Sequence, residues 1–153
     1  MSKIQIKKEC VEFISADIKK FSDVETGGVL FGDVIDGSPY IQKAIDGGKK
    51  AIRERYQFHA DKDYIDMNID MIHANTELRY IGEWHTHPQI EPQPSDQDLI
   101  SLEEIAESAE RYSILLIVGF IDYKITNFID QSICIVKFPN RDDFYKIELN
   151  IID

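Results

Sequence analysis

The sequence predicts an α/β fold in which a mixed β-sheet is flanked by helices. Three observations lead to this class. Three segments carry apolar residues at helical spacing, several short apolar runs are bounded by turn residues, and the two kinds of segment are interleaved along the chain. No repeat, low-complexity tract or linker interrupts the 153 residues, which suit one domain over residues 1–153.

The segment 1–59 predicts one helix among short strands. The helix covers residues 9–21, where Cys10, Phe13 and Ile14 begin an apolar face. Alternation of apolar and polar residues, or a short apolar run beside glycines, predicts four strands at 4–6, 29–31, 40–45 and 52–58. Gly32 is expected to end the second strand, and the turn residues 36–39 (Asp-Gly-Ser-Pro) join it to the third strand as a hairpin.

The segment 61–153 predicts two longer helices and four strands. Apolar residues at helical intervals indicate amphipathic helices over 61–78 and 95–110. The strands follow in order at 79–87, 113–120, 131–138 and 144–151. The run 113–120 is the most hydrophobic, which is typical of a strand buried on both faces, so we expect it at the sheet centre.

Composition and charge exclude several classes of protein. The 17 Lys+Arg and 28 Asp+Glu give a net charge of −11, which disfavours nucleic-acid binding. The longest apolar run, residues 114–121, is too short to cross a bilayer, and the N-terminal residues lack a signal-peptide core. Cys10 and Cys134 fit neither a disulfide framework nor a cysteine metal site and are expected in the core. We therefore expect a soluble cytoplasmic protein with no membrane or nucleic-acid partner.

Chemically reactive side chains are concentrated in residues 83–98. His85 and His87 lie two positions apart on a predicted strand, so both side chains point to one face and can reach one ion. The proline-rich loop 88–94 then returns Asp98, in the first turn of the next helix, toward the histidines. Two histidines and one carboxylate leave a fourth tetrahedral position open, as in a catalytic zinc site.

Each of these residues also has a purely structural interpretation. Ser95 and Asp98 fit a helix N-cap pair, which does not exclude the metal site because the same serine can hold the helix end that presents Asp98. Two histidines on a strand can also be half-buried polar residues. His59 and His73 have no partner at ligand spacing and are expected to be ordinary surface or core histidines.

Residues 85–98 follow the pattern His-x-His-Pro-x(6)-Ser-x-x-Asp, which resembles the JAMM motif of the JAB/MPN metalloprotease family at every defining position. Residues 25–32, Glu-Thr-Gly-Gly-Val-Leu-Phe-Gly, resemble the opening motif E-T-G-G-x-L-x-G of bacterial members. The first pattern is highly specific, and the second alone would be weak. The resemblance covers nearly the whole chain and implies a single MPN-like domain.

The resemblance also implies roles for five residues. It makes His85, His87 and Asp98 the ligands of a Zn²⁺ ion. Glu25 is the general base that takes a proton from the attacking water and passes it to the leaving amine, and Ser95 helps to stabilise the oxyanion. Glu83 is the alternative base, because it lies on the strand face of the histidines, two residues before His85.

The implied activity is that of a zinc isopeptidase that removes a ubiquitin-like protein from a target or trims its precursor. Bacterial members of this compact size are often encoded beside ubiquitin-like conjugation enzymes, including those of anti-phage defence systems, so both the modifier and these enzymes are expected partners. One alternative is a peptidase that processes the C-terminus of a sulfur-carrier protein. Another is a metal-free MPN scaffold, which the intact ligand set disfavours.

Overall fold

A computed structural model describes residues 3–120 and 125–153, which form three helices and nine strands. The elements in chain order are β1 (Lys3–Lys7), α1 (Lys8–Lys20), β2 (Gly27–Ile35), β3 (Ser38–Asp46), β4 (Ile52–Glu54), β5 (Gln57–His59), α2 (Lys62–Asn75), β6 (Arg79–Pro88), α3 (Asp96–Ala109), β7 (Ser113–Phe120), β8 (Ser132–Lys137) and β9 (Phe144–Ile152). Residue 121, the last of the long apolar run, lies outside the described residues.

Seven strands form one mixed sheet in the order β1-β3-β2-β6-β7-β8-β9, which confirms the predicted class. The sheet also closes on itself, which the sequence did not predict. Closure occurs because β1 pairs in parallel with β3 on one side and with β9 on the other. Strands β4 and β5 pair only with each other within the described part of the chain and form a separate hairpin.

Three predicted boundaries were wrong, each for a local reason. Strand β2 does not stop at Gly32 but continues to Ile35, and its pairing with β3 shifts register between Phe31 and Gly32. The single strand expected at 52–58 is a hairpin. Helix α2 ends at Asn75, three residues before the predicted end, because Thr76 turns to an extended conformation while its hydroxyl bonds the Ile72 carbonyl.

Strand β7 is buried along all of its length because a helix or strand packs on each of its faces. Leu116 and Val118 belong to the largest buried cluster, which includes Ile14 and Ile18 of α1. The alternate residues of β7, together with Leu102 of α3, form a different cluster on the opposite face. A third cluster packs α2 against β2 and β3. Among the described helices, none has both the length and the apolarity needed to cross a bilayer.

The packing of β7 makes a prediction for stability. Leu116 is fully buried, so Leu116→Ala should lower the free energy of unfolding by about 2–5 kcal/mol through lost transfer energy and a residual cavity. Urea unfolding followed by circular dichroism measures this change. Ile100→Ala is the control, because Ile100 on α3 is 51% exposed and its truncation should change stability by less than about 0.5 kcal/mol. Equal losses in both variants would contradict this description of the core.

Candidate metal centre

Strand β6 carries two histidines on one face. The strand is held on both sides, by antiparallel β2 and parallel β7, so its pleat is fixed along the site. Trp84 and Thr86 are completely buried, whereas His85 is half-buried and His87 is 8% exposed. The alternation of a strand therefore brings both imidazoles to the same face, as the sequence predicted.

The third side chain of the cluster is fixed by the start of α3. The Ser95 hydroxyl accepts the Asp98 backbone N–H at 3.1 Å, and Oδ2 of Asp98 accepts the Ser95 backbone N–H at 2.8 Å. This reciprocal pair is a capping box, which satisfies two N–H groups at the helix start. The predicted cap is present, and it orients the Asp98 carboxylate.

Three side chains converge, with their donor atoms at a spacing that suits one metal ion. The His85 and His87 Nε2 atoms are 3.2 Å apart, His85 Nε2 is 3.3 Å from Asp98 Oδ1, and His87 Nε2 is 3.4 Å from Asp98 Oδ2. Two donors each about 2.0–2.1 Å from a zinc ion at the tetrahedral angle are about 3.3–3.4 Å apart. The observed spacing therefore fits a zinc ion. In the described part of the chain, no other group of three His, Cys, Asp or Glu side chains converges in this way.

The electrostatics of the cluster favour an ionised aspartate. Burial acts to raise the pKa of Asp98, but its hydrogen bonds with His85 and His87 outweigh that effect and hold the pKa well below its usual value. Nδ1 of His87 is buried and has no hydrogen-bond partner among the described residues, so strand geometry and packing orient this ring. A carboxylate held ionised beside two imidazoles is a donor set for a divalent cation.

Glu25 lies beside this cluster although it is 60 residues away in the chain. Its backbone N–H donates to the Glu54 carbonyl of β4 at 2.7 Å. Burial raises the pKa of the Glu25 carboxyl, and the nearby His87 and His85 oppose part of that rise. Close strand approach makes this placement possible, because a Cβ at Gly27 would lie 2.4 Å from the Trp84 carbonyl oxygen. Glycine is therefore required there.

Glu83 also lies near the cluster but has a partner of its own. The Tyr80 hydroxyl donates to Glu83 Oε1 at 3.3 Å. Burial raises the pKa of Glu83, and His85 and this hydrogen bond partly oppose the rise. Both glutamates are therefore within electrostatic reach of the cluster, and only Glu83 is anchored by a neighbouring hydroxyl in the described structure.

A groove of about 540 Å³ runs past the cluster. His85, Asp98 and Glu83 line one part of it, and the rest is formed mainly by apolar side chains of α2, α3 and the hairpin. The hairpin contribution, which includes Phe58 and His59, was missed by the sequence analysis. Residues 52–58 were predicted as one strand because the two-residue turn at Arg55 and Tyr56 carries no glycine or asparagine to mark it.

His73 has the structural role that was expected of it. Its Nε2 accepts the Tyr80 backbone N–H at 3.1 Å, and its ring contacts Phe31 edge-on. Burial, together with Arg79 and Arg111, lowers the pKa of His73, so the ring stays neutral and keeps its acceptor nitrogen. Cys10 and Cys134 are buried in the main core, also as expected.

Comparison with known proteins gives matches along most of the chain. A family model described as prokaryotic homologues of the JAB domain matches residues 7–129. A probable metalloprotease of Sinorhizobium fredii, y4qB, is 38% identical over 112 residues, which are 70% of this chain and 68% of that relative.

Two further relatives carry the name CD-NTase/cGAS isopeptidase. The one from Enterobacter hormaechei is 30% identical over 111 residues, 70% of this chain and 60% of its own length. The one from Escherichia coli is 29% identical over 115 residues, 74% of this chain and 73% of its own length. A solved structure of a Desulfitobacterium hafniense protein has a TM-score of 0.70 at 16% identity, covers 98% of this chain and 93% of its own, and supports the fold alone.

The geometry of the cluster makes a prediction for metal binding. The purified protein should hold about one zinc ion per chain, and His85→Ala or Asp98→Ala should lose most of it, because a three-ligand site cannot spare a donor. Elemental analysis after dialysis measures the content. His59→Ala is the matched control and should keep its metal, because His59 lies outside the cluster. Absence of zinc from the unaltered protein after zinc is supplied would contradict the prediction.

Proposed function

The chain belongs to the prokaryotic JAB-domain family and is a metallopeptidase, and we propose that it uses zinc to cleave the bond that follows the C-terminus of a ubiquitin-like protein. The convergence of His85, His87 and Asp98 beside a groove, with Glu25 close enough to interact electrostatically with all three, carries this proposal. By the same proposal, residues 1–153 are a single domain. Its extension beyond residue 129 is supported by β9, which pairs with both β8 and β1.

We propose that three side chains bind the metal, that Glu25 transfers the proton and that Ser95 stabilises the oxyanion. A zinc ion at this cluster supplies a Lewis acid that acidifies water and polarises a carbonyl group. Glu25 is not one of the three converging side chains, so its carboxylate remains available to accept a proton and to deliver it to the leaving amine. Its half-buried position supports this role, since burial brings a carboxylate closer to the proton affinity that a base needs at neutral pH.

Ser95 is suited to the oxyanion because of how it caps α3. Its oxygen already accepts the Asp98 N–H, so its own proton is available for donation. The side chain is exposed at the helix start, next to the carboxylate of Asp98. A hydroxyl held this way is oriented before the substrate arrives, which is the property that makes an oxyanion donor effective.

The groove favours an extended peptide as substrate. Strand β6 is paired on both sides, so a peptide cannot add to it at the site. In contrast, β5 has β4 as its one partner strand among the described residues, and Phe58 and His59 line the groove together with His85. An extended tail can pair with such an edge by main-chain hydrogen bonds. The flexible C-terminal tails of ubiquitin-like proteins have this form.

The relatives and the charge of the chain support the same substrate class. Two relatives are named isopeptidases, which supports cleavage of a modifier from a target protein. We place the activity in the cytoplasm, beside conjugation enzymes of a bacterial defence system, and the CD-NTase part of those names supports that setting. The net charge of −11 favours a modifier or target with basic residues near the tail.

The proposal predicts selective cleavage. A ubiquitin-like protein fused through its C-terminus to a reporter, or joined to a lysine side chain, should be cut directly after its last residue. Mass spectrometry of the products locates the cut. A metal chelator should abolish cleavage and added zinc should restore it, whereas serine and cysteine protease inhibitors should have no effect. Casein is the control substrate, and its general digestion would contradict the proposal.

A second prediction separates the two glutamates. Glu25→Gln should keep the metal and the fold and lower kcat by about 10²–10⁴-fold with little change in KM, because general acid–base assistance is worth that much. Glu83→Gln should cost clearly less, since an amide can still accept the Tyr80 hydroxyl. Steady-state kinetics with zinc content measured on the same samples test both. A dead Glu83 variant beside an active Glu25 variant would move the base to Glu83.

A further inference from the structure

Two buried threonines join the proposed base to the histidine strand. Thr86 is the residue between the two histidines, Thr26 directly follows Glu25, and neither is exposed at all. The Thr86 N–H donates to the Thr26 carbonyl at 2.9 Å, and the Thr26 N–H donates to the Thr86 hydroxyl oxygen at 3.0 Å. That hydroxyl also donates to the Thr26 carbonyl at 3.4 Å. Three hydrogen bonds therefore link the residues adjacent to the base and to the cluster.

The Thr26 hydroxyl is held in turn by two charged side chains from other elements. It donates to Oδ2 of Asp17 in α1 at 2.7 Å and accepts Nε of Arg53 in β4 at 2.9 Å. Arg53 also donates to the Gly48 carbonyl at 3.2 Å, and its guanidinium lies 4.1 Å from the centre of the Phe21 ring. Asp17 and Arg53 thus both bond the Thr26 hydroxyl, and Thr26 is fixed from α1, β4 and β6 together.

We propose that Thr86 and Thr26, with Asp17 and Arg53 behind Thr26, are positioning residues that fix Glu25 relative to the metal ligands. The inference rests on the proposed function for its catalytic consequence, but the hydrogen bonds themselves are independent of it. None of these four residues is part of the converging donor cluster. They act through the Thr26 backbone, which directly follows Glu25.

The Glu25 segment needs such anchoring because of its position just before β2. Glu25 is followed by Thr26 and then by the glycine pair at the start of β2, so Thr26 is the side chain that can anchor the segment on that side. The Glu25 backbone N–H donates to the Glu54 carbonyl of the hairpin. A base displaced by about 1 Å can cost about 10² in rate, so the anchoring of Thr26 controls a catalytic distance.

The same contacts explain why a threonine suits the position between the histidines. Its two neighbours point toward the metal site and its own side chain points into the core, where a hydroxyl needs a partner. The Thr26 backbone supplies that partner. Removal of the hydroxyl leaves the Thr26 N–H buried without its acceptor, which is costlier than the loss of a surface hydrogen bond.

Thr86→Val tests the proposal because valine keeps the shape and removes the hydroxyl. With the reporter fusion described above, kcat should fall about 10- to 100-fold while KM changes by less than about threefold. Zinc content should stay at that of the unaltered protein. In metal-free protein, amide hydrogen exchange at Thr26, followed by nuclear magnetic resonance, should accelerate by about tenfold. Thr86→Ser, which restores the hydroxyl, should return both kcat and exchange toward the original values.

Ser113→Ala is the matched control, because Ser113 is a buried strand hydroxyl with no hydrogen-bond partner among the described residues. It should leave kcat and Thr26 exchange unchanged. If Thr86→Val does not fold, Arg53→Met is used for the test. Methionine keeps an apolar side chain against the Phe21 ring but lacks the Nε–H group that donates to the Thr26 hydroxyl.

The outcomes separate this inference from the proposed function. Three results for Thr86→Val would overturn the positioning role. They are a kcat equal to that of the unaltered protein, a loss of zinc, and an unchanged rate of amide exchange at Thr26. Failure of the unaltered protein to cleave any fusion would overturn the proposed function alone. In that case the exchange data for Thr86→Val and Thr86→Ser still decide whether the threonine pair holds the Glu25 segment.

Discussion

The pairing of β2 with β6 is the contact on which the rest of the site depends. Gly27 lies opposite His85 and Gly28 opposite Trp84, and no side chain fits at either glycine. A Cβ at Gly28 would lie 1.8 Å from the Ile45 carbonyl oxygen, so β2 is closely packed against β3 as well. Because these strands meet without intervening side chains, a carboxylate near the beginning of the chain reaches a histidine pair in its middle. The glycines are therefore part of the site although they contribute no reactive group.

The parts of the site that sequence predicted are the ones set by local geometry. Two residues on one strand share a face whatever surrounds them, so His85 and His87 were placed together correctly. Ser95 and Asp98 are three residues apart at a helix start, which fixes their reciprocal bonds. In contrast, the place of Glu25 beside them follows from strand pairing over 60 residues. The sequence supplied it only through the resemblance to a known family.

In the fold, too, locally determined features were predicted and long-range pairings were not. Helices and strands with a clear period were predicted to within a few residues, because each period reflects the face that one element buries. The sheet closes because β1 pairs with β9, which lies far from it in the chain. Neither strand carries a sequence pattern that identifies its partner, so this pairing could not be predicted. The short hairpin was missed because a two-residue turn at Arg55 and Tyr56 lacks the glycine or asparagine that marks tighter hairpins. The link from Arg53 to Thr26 joins residues 27 positions apart, so no local pattern marks it.

The capping box at the start of α3 has a thermodynamic consequence. The carboxylate that caps the helix is also a proposed metal ligand, so order in the first turn of α3 and affinity for the ion are coupled. Coupling of this kind is reciprocal: an ion that prefers the ordered turn also stabilises it, by an amount that grows with the logarithm of its free concentration. By this coupling, an ion bound at the cluster would stabilise the first turn of α3, and disorder of that turn would weaken its binding.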